Sequence, residues 1–151
     1  MRIYVIDDEI EVARLLAEAL HLAGHDPVVA HDGQRALAML DRERPDAVFL
    51  DVRMPGMSGI DVLRRIRQAE PDLPVVLVTG HADEADVAEA RDLGVAEVVW
   101  KPEILTNLDE VLGELREAER LSGGSVRVAR TRGRRVRRAG SASPHASGGL
   151  P

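Results

Sequence analysis

The stretch Val48-Phe49-Leu50-Asp51-Val52-Arg53-Met54-Pro55-Gly56-Met57-Ser58-Gly59, VFLDVRMPGMSG, begins as an apolar run, meets one carboxylate and breaks at Pro-Gly. The run reads as a strand buried on both faces, and Pro55-Gly56 is a turn dipeptide with its own backbone mechanism. Taken alone, an acid at the tip of such a strand is ordinary turn chemistry. Its significance depends on what the rest of the chain places beside it.

Outward from this stretch, short β-branched runs alternate with longer amphipathic ones. Ile3 to Ile6 reads as a first strand, followed by Val12, Leu15, Leu16, Ala19 and Leu20 at helical spacing and a stop at Gly24. Pro27 to Ala30 is a short second strand, and Asp32 can cap a helix carrying Ala36, Leu37 and Leu40. Ala47 to Leu50 is the third strand, with Ile60, Leu63 and Ile66 marking a helix that ends near Pro71. Val75 to Val78 is the fourth, followed by a weakly apolar helix around Val87 to Leu93 that stops at Gly94. Val98 to Trp100 is the fifth, and Leu105, Leu108, Leu112 and Leu115 form a last helical stripe. Strands that are apolar on both faces, alternating with helices, imply an α/β fold with a parallel sheet covered on both sides.

Charge divides the chain into two materials. Residues 1–121 hold 13 basic and 26 acidic residues, a net −13, whereas residues 122–151 hold seven Arg and no acid. The absence of Cys removes disulfides, thiolate catalysis and Cys-ligated zinc. No run approaches the roughly 18 apolar residues of a membrane span, and the opening MRIYVIDDE is too short in apolar residues for a signal peptide, so a cytoplasmic protein is expected.

On this frame Asp7-Asp8 follow the first strand, Asp51 ends the third, Thr79 ends the fourth and Lys101 ends the fifth. The carboxyl ends of the strands in an open α/β sheet converge on one crevice, so these residues meet there. Three clustered carboxylates repel one another unless a proton is shared or a cation is present. An all-oxygen site without His or Cys suits a hard ion that keeps its waters, which points to Mg²⁺. A carboxylate beside Mg²⁺ and Lys is equipped to attack a phosphoryl group and form an acyl phosphate, with the metal, Lys101 and Thr79 each able to hold an equatorial oxygen.

At this point residues 1–121 resemble the receiver domain of two-component response regulators, on Asp7-Asp8, Asp51 with Met54 to Gly59, Thr79-Gly80 and Lys101-Pro102. The resemblance implies a flavodoxin-like doubly wound (βα)5 sandwich with strand order 2-1-3-4-5. It implies Asp51 as phosphoacceptor, Asp8 and Asp51 as direct Mg²⁺ ligands, Asp7 holding a metal-bound water, and the Arg53 carbonyl completing the set. Thr79 and Lys101 then bind the phosphoryl oxygens, and the Lys101-Pro102 bond is expected to be cis. The expected partners are a histidine kinase or histidine phosphotransfer protein and a downstream protein target. The domain is expected to catalyse its own phosphorylation and slow dephosphorylation without acting as a turnover enzyme.

Plainer readings stand beside these. Asp7, Asp8 and Glu9 can cap the next helix, Thr79 can be a β-branched strand end, and Lys101 a solvated strand-end charge. His81 reads as a surface histidine; it and Arg53 occupy positions that in receivers border the site entrance, and neither is assigned catalysis. The chain departs from receivers at Val98, where a Tyr or Phe usually stands three residues before the Lys, and at Glu103, where an apolar residue usually follows Lys-Pro. The readout of phosphorylation is therefore expected to be altered or weak.

Residues 122–151, rich in Gly, Ser and Arg, cannot repay the entropy of ordering and are expected to form a disordered basic tail. Contact with nucleic acid is expected only through this tail, or the tail clamps onto the acidic domain. Thirty residues are too few for a winged-helix output domain, so a stand-alone receiver or a fragment is expected. A hydrolase with an aspartyl nucleophile would want an acid where Arg53 stands, and a flavin mononucleotide binder would not place Asp7-Asp8-Glu9 in its phosphate loop. Two alternatives remain, a receiver-shaped interaction module without phosphorylation control, motivated by Val98, and a basic-tailed regulator associated with nucleic acid.

Overall fold

The computed structural model describes residues 1–122. Strands β1 (Arg2–Ile6), β2 (Asp26–Ala30), β3 (Ala47–Leu50), β4 (Val75–Thr79) and β5 (Glu97–Trp100) alternate with helices α1 (Ile10–Leu22), α2 (Gly33–Arg42), α3 (Gly59–Ala69), α4 (Glu84–Asp92) and α5 (Lys101–Ser122). All strand pairs are parallel and the sheet order is β2-β1-β3-β4-β5, the doubly wound arrangement that the resemblance implies.

The continuous apolar runs follow from this sandwich. Successive side chains on a strand point to opposite faces, so a strand covered on both sides needs apolar residues at every position. In β3, Val48 and Leu50 join a core with Ala36 of α2, Ile60, Leu63 and Ile66 of α3, and Ala90 of α4. Ala47 and Phe49 join the opposite core with Leu16 and Leu20 of α1 and Ile104, Leu108, Leu112 and Leu115 of α5.

Helix starts are set by side chains that satisfy orphan backbone donors. Asp32 accepts from the Arg35 N–H at 2.7 Å, as the sequence suggests, and Asp83 does the same for Asp86 at 2.8 Å. Ser58 and Asp61 form a reciprocal capping box that starts α3 immediately after the Pro55-Gly56 turn, where Gly56 takes φ +79°.

Three local expectations are corrected. The Lys101-Pro102 peptide is trans, because β5 runs straight into α5 and Pro102 lies in its first turn, where helical φ suits proline. Leu105 is 49% exposed and Leu15 46% exposed. In α5 the buried series is Ile104, Leu108, Val111, Leu112 and Leu115, one position out of phase with Leu105; in α1 it is Ala13, Leu16 and Leu20. Adjacent residues differ by about 100° around a helix, enough to turn a leucine from core to solvent.

Candidate functional site

The carboxyl edge of the sheet collects the residues singled out above. The β1–β3 ladder pairs Ile6 with Leu50, so Asp7 and Asp51 leave the sheet level with one another, and the Asp51 N–H donates to the Ile6 carbonyl at 2.9 Å. Thr79 is the last residue of β4 and pairs with Trp100, which places it between Asp51 and Lys101 along the edge. Asp7, Asp51 and Thr79 are all buried.

Lys101 ties the cluster together. Its Nζ lies 3.0 Å from Asp7 Oδ2, 3.2 Å from Asp51 Oδ2 and 3.2 Å from Glu9 Oε1, with 11% of its side chain exposed. The plain reading of Lys101 as a solvated charge therefore does not hold. Glu9 is the N-cap residue of α1 but makes no side-chain cap bond; its carboxylate is on Lys101 instead. Asp7 accepts from the Glu9 N–H at 2.9 Å, and its own carbonyl oxygen lies 3.0 Å from His31 Nδ1, so its backbone and carboxylate are both held.

The electrostatics show an acid site short of positive charge. Burial first, and then the charge of Asp7, push the Asp51 carboxyl up to about 7, against a partial correction from Lys101 and a hydrogen bond from the Arg53 N–H. Burial works against the Lys101 ammonium, but its hydrogen bonds and attraction to Asp7 and Asp51 outweigh this and raise it. One Lys among that many carboxylates leaves room for another cation. Carboxylate oxygens of Asp7, Asp8 and Asp51 lie within 4.8 Å of one another, an all-oxygen donor set that fits a hard divalent ion.

The structure brings Asp7, Asp8, Asp51 and Lys101 into contact range and places Thr79 at the same edge. The Thr79 hydroxyl accepts from the His81 N–H at 3.2 Å, while the His81 residue itself is exposed. Arg53 is also exposed at the site mouth, its Nε donating to the His81 carbonyl at 3.0 Å. Val98, half-buried, packs against the core shared with α2, α3 and α4.

Two contributors escaped the sequence reading. A Cβ on Gly59 would stand 1.9 Å from the Asp51 carbonyl oxygen, so glycine there lets α3 close onto the strand tip that carries Asp51. Glu9 shares Lys101 with the buried acids. A further signal lay in the composition: Lys101 is the only lysine among 20 basic residues, so the one compact ammonium of the chain is kept for this place.

Comparison with known proteins places this geometry in a family. The family model of the response regulator receiver domain matches residues 3–113. Transcriptional regulatory protein TrcR of Mycobacterium tuberculosis is 33% identical over 85% of this chain and 49% of its own length. DNA-binding response regulator MtrA of Mycolicibacterium smegmatis is 38% identical over 84% of this chain and 58% of its own length. The chain spans about half the length of the curated relatives it matches. Among solved structures, the receiver domain of NtrX from Brucella abortus superimposes with a TM-score of 0.71 at 32% identity, over 76% of this chain and 98% of that one. A CheY-like receiver domain protein from Methanospirillum hungatei shares the fold, with a TM-score of 0.75 at 22% identity over 80% of this chain and 97% of that one.

Proposed function

The chain belongs to the response regulator receiver family, and on that premise we propose that Asp51 is its phosphoacceptor in a two-component phosphorelay. The observation that carries this reading is the buried Asp51 carboxylate held 3.2 Å from the Nζ of the chain's single lysine, beside two further acids. An Asp51 oxygen attacks the phosphorus of a phosphohistidine on a histidine kinase or phosphotransfer protein; the P–N bond breaks, and the imidazole leaves with the electron pair and takes up a proton. Lys101 and the Thr79 hydroxyl bind oxygens of the transferred group.

Asp8 and Asp51, with Asp7 through a water and the Arg53 carbonyl, would hold Mg²⁺. Bound there, the ion would neutralise phosphoryl charge and favour the ionised form of Asp51, which burial and Asp7 otherwise oppose. The domain is assigned to residues 1–121 and a cytoplasmic setting, signalling through protein contacts. Among the described residues no helix is long and apolar enough to cross a membrane. The basic segment 122–151, with any contact to nucleic acid, lies almost wholly beyond the described residues.

Incubation with acetyl phosphate or phosphoramidate, followed by intact mass, tests the proposal. One phosphoryl group is expected on the wild type, dependent on Mg²⁺, and none on Asp51→Asn. An unmodified wild type under conditions that label a control receiver would overturn the phosphoacceptor reading in favour of an interaction module.

A further inference from the structure

Arg53 contacts both sides of the site mouth. It stands two residues past Asp51 on the same loop, and its guanidinium reaches across to the turn between β4 and α4. There Nε bonds the His81 carbonyl at 3.0 Å, and the terminal nitrogen lies 3.9 Å from both Asp83 and Asp86. Asp83 caps α4, so the segment that Arg53 holds is the start of that helix.

The two ends of α4 are secured unequally. Beyond its carboxyl end, the Arg67 guanidinium donates to the Leu93 carbonyl at 2.6 Å and the Gly94 carbonyl at 3.2 Å, and Ala90 is the helix's one buried residue. At its amino end Asp83, Glu84 and Ala85 are exposed; the preceding turn is held by the His81 N–H on the Thr79 hydroxyl and by Ala82 against the core, and Arg53 adds a side-chain tie from the β3 side.

We propose that Arg53 is a positioning residue that couples Asp51 to α4, pinning the β4–α4 turn in the unmodified protein and releasing it when a phosphoryl group on Asp51 draws the guanidinium away. The release half rests on Asp51 being the phosphoacceptor. A phosphoryl dianion in the same loop competes with two carboxylates that stand at the limit of ion pairing, and its three oxygens are stronger acceptors for guanidinium.

Amide exchange on the unmodified, metal-free protein tests the latch. In Arg53→Met the Asp86 and Val87 amides exchange roughly threefold faster than in the wild type, the scale of an exposed ion pair with one hydrogen bond. Residues 93–99, held from the Arg67 end, do not change. Arg53→Lys keeps the charge without the fixed Nε donor and falls between. Identical exchange in Arg53→Met and the wild type overturns the latch.

With Mg²⁺ and beryllofluoride, wild-type exchange at Asp86 and Val87 rises toward the Arg53→Met value. Unchanged or slower exchange there overturns the release. Intact-mass labelling of the wild type tests the phosphoacceptor reading separately, and the metal-free comparison stands whichever way that labelling falls.

Discussion

Arg67 and Lys101 are both half-buried, yet their partners differ in kind. Arg67 donates to the carbonyls of Glu70, Leu73, Leu93 and Gly94, all neutral dipoles fixed by the backbone. Lys101 faces the carboxylates of Asp7, Glu9 and Asp51. These carbonyls take up neither a proton nor a phosphoryl group, so Arg67 serves to join the end of α3, the turn before β4 and the end of α4. A carboxylate can take up both, and a metal as well, so the Lys101 cluster can adopt more than one arrangement. The first is a staple and the second a site, although each is a half-buried cation with several acceptors.

The largest expected effect breaks the staple. Arg67→Met should destabilise the fold by about 3 kcal/mol in urea unfolding, because four carbonyls lose a charged donor in a partly buried setting. Phosphoryl incorporation by the folded fraction should persist, since none of those carbonyls touches Asp51. A loss below about 0.5 kcal/mol, the range of an ordinary surface substitution, would show that water replaces the guanidinium and that the contrast with Lys101 is false.

The opposite sign is expected at the site. The folded Asp51 carboxyl lies near 7 against an ordinary 3.8, so between those values the folded protein binds more protons than the unfolded chain. Stability of the metal-free protein therefore falls as pH rises from about 4 to about 7, by up to a few kcal/mol from this group. Asp51→Asn should flatten that slope and raise the melting temperature at neutral pH. Mg²⁺ should do likewise for the wild type, by binding the folded state and favouring the carboxylate. An equal slope in Asp51→Asn and wild type would mean that another group carries the proton.

How much of this contrast the sequence carries depends on the range of each interaction. The five strands and the edge positions of Asp7, Asp51, Thr79 and Lys101 are legible because continuous apolar runs and strand ends are local patterns that topology then gathers, whereas the sheet order follows only from the resemblance to receivers. The staple is not legible. Arg67 sits on α3 among exposed arginines, and only the folded chain brings residues 93 and 94 to its guanidinium. Leu15 and Leu105 mislead for a related reason: each adjoins a true core leucine or isoleucine, and helical phase is fixed by what the helix packs on rather than by the apolar residue itself. Glu9 looks like a helix cap until Lys101, 92 residues later, competes for it.

The smallest expected effect concerns how far a change at Lys101 travels. Trp100 ends β5 next to Lys101, is 40% exposed, and by strand alternation lies on the same face as Val98. Beryllofluoride with Mg²⁺ is expected to draw Lys101 away from Asp7 and Glu9 and to shift the backbone at residues 100 and 101, and a half-exposed indole changes its emission with small changes in hydration. Val98 offers no ring to turn inward beside Thr79, so little differential stabilisation is available to move the surface beyond the β4–α4 turn. The Trp100 emission should therefore shift, while amide exchange over residues 89–115 changes little. Val98→Tyr should enlarge that exchange response without changing the emission shift in proportion. A large wild-type response across residues 89–115 would show that the site drives the fifth strand and helix without an aromatic, and that the several arrangements of the Lys101 cluster reach well beyond the edge of the sheet.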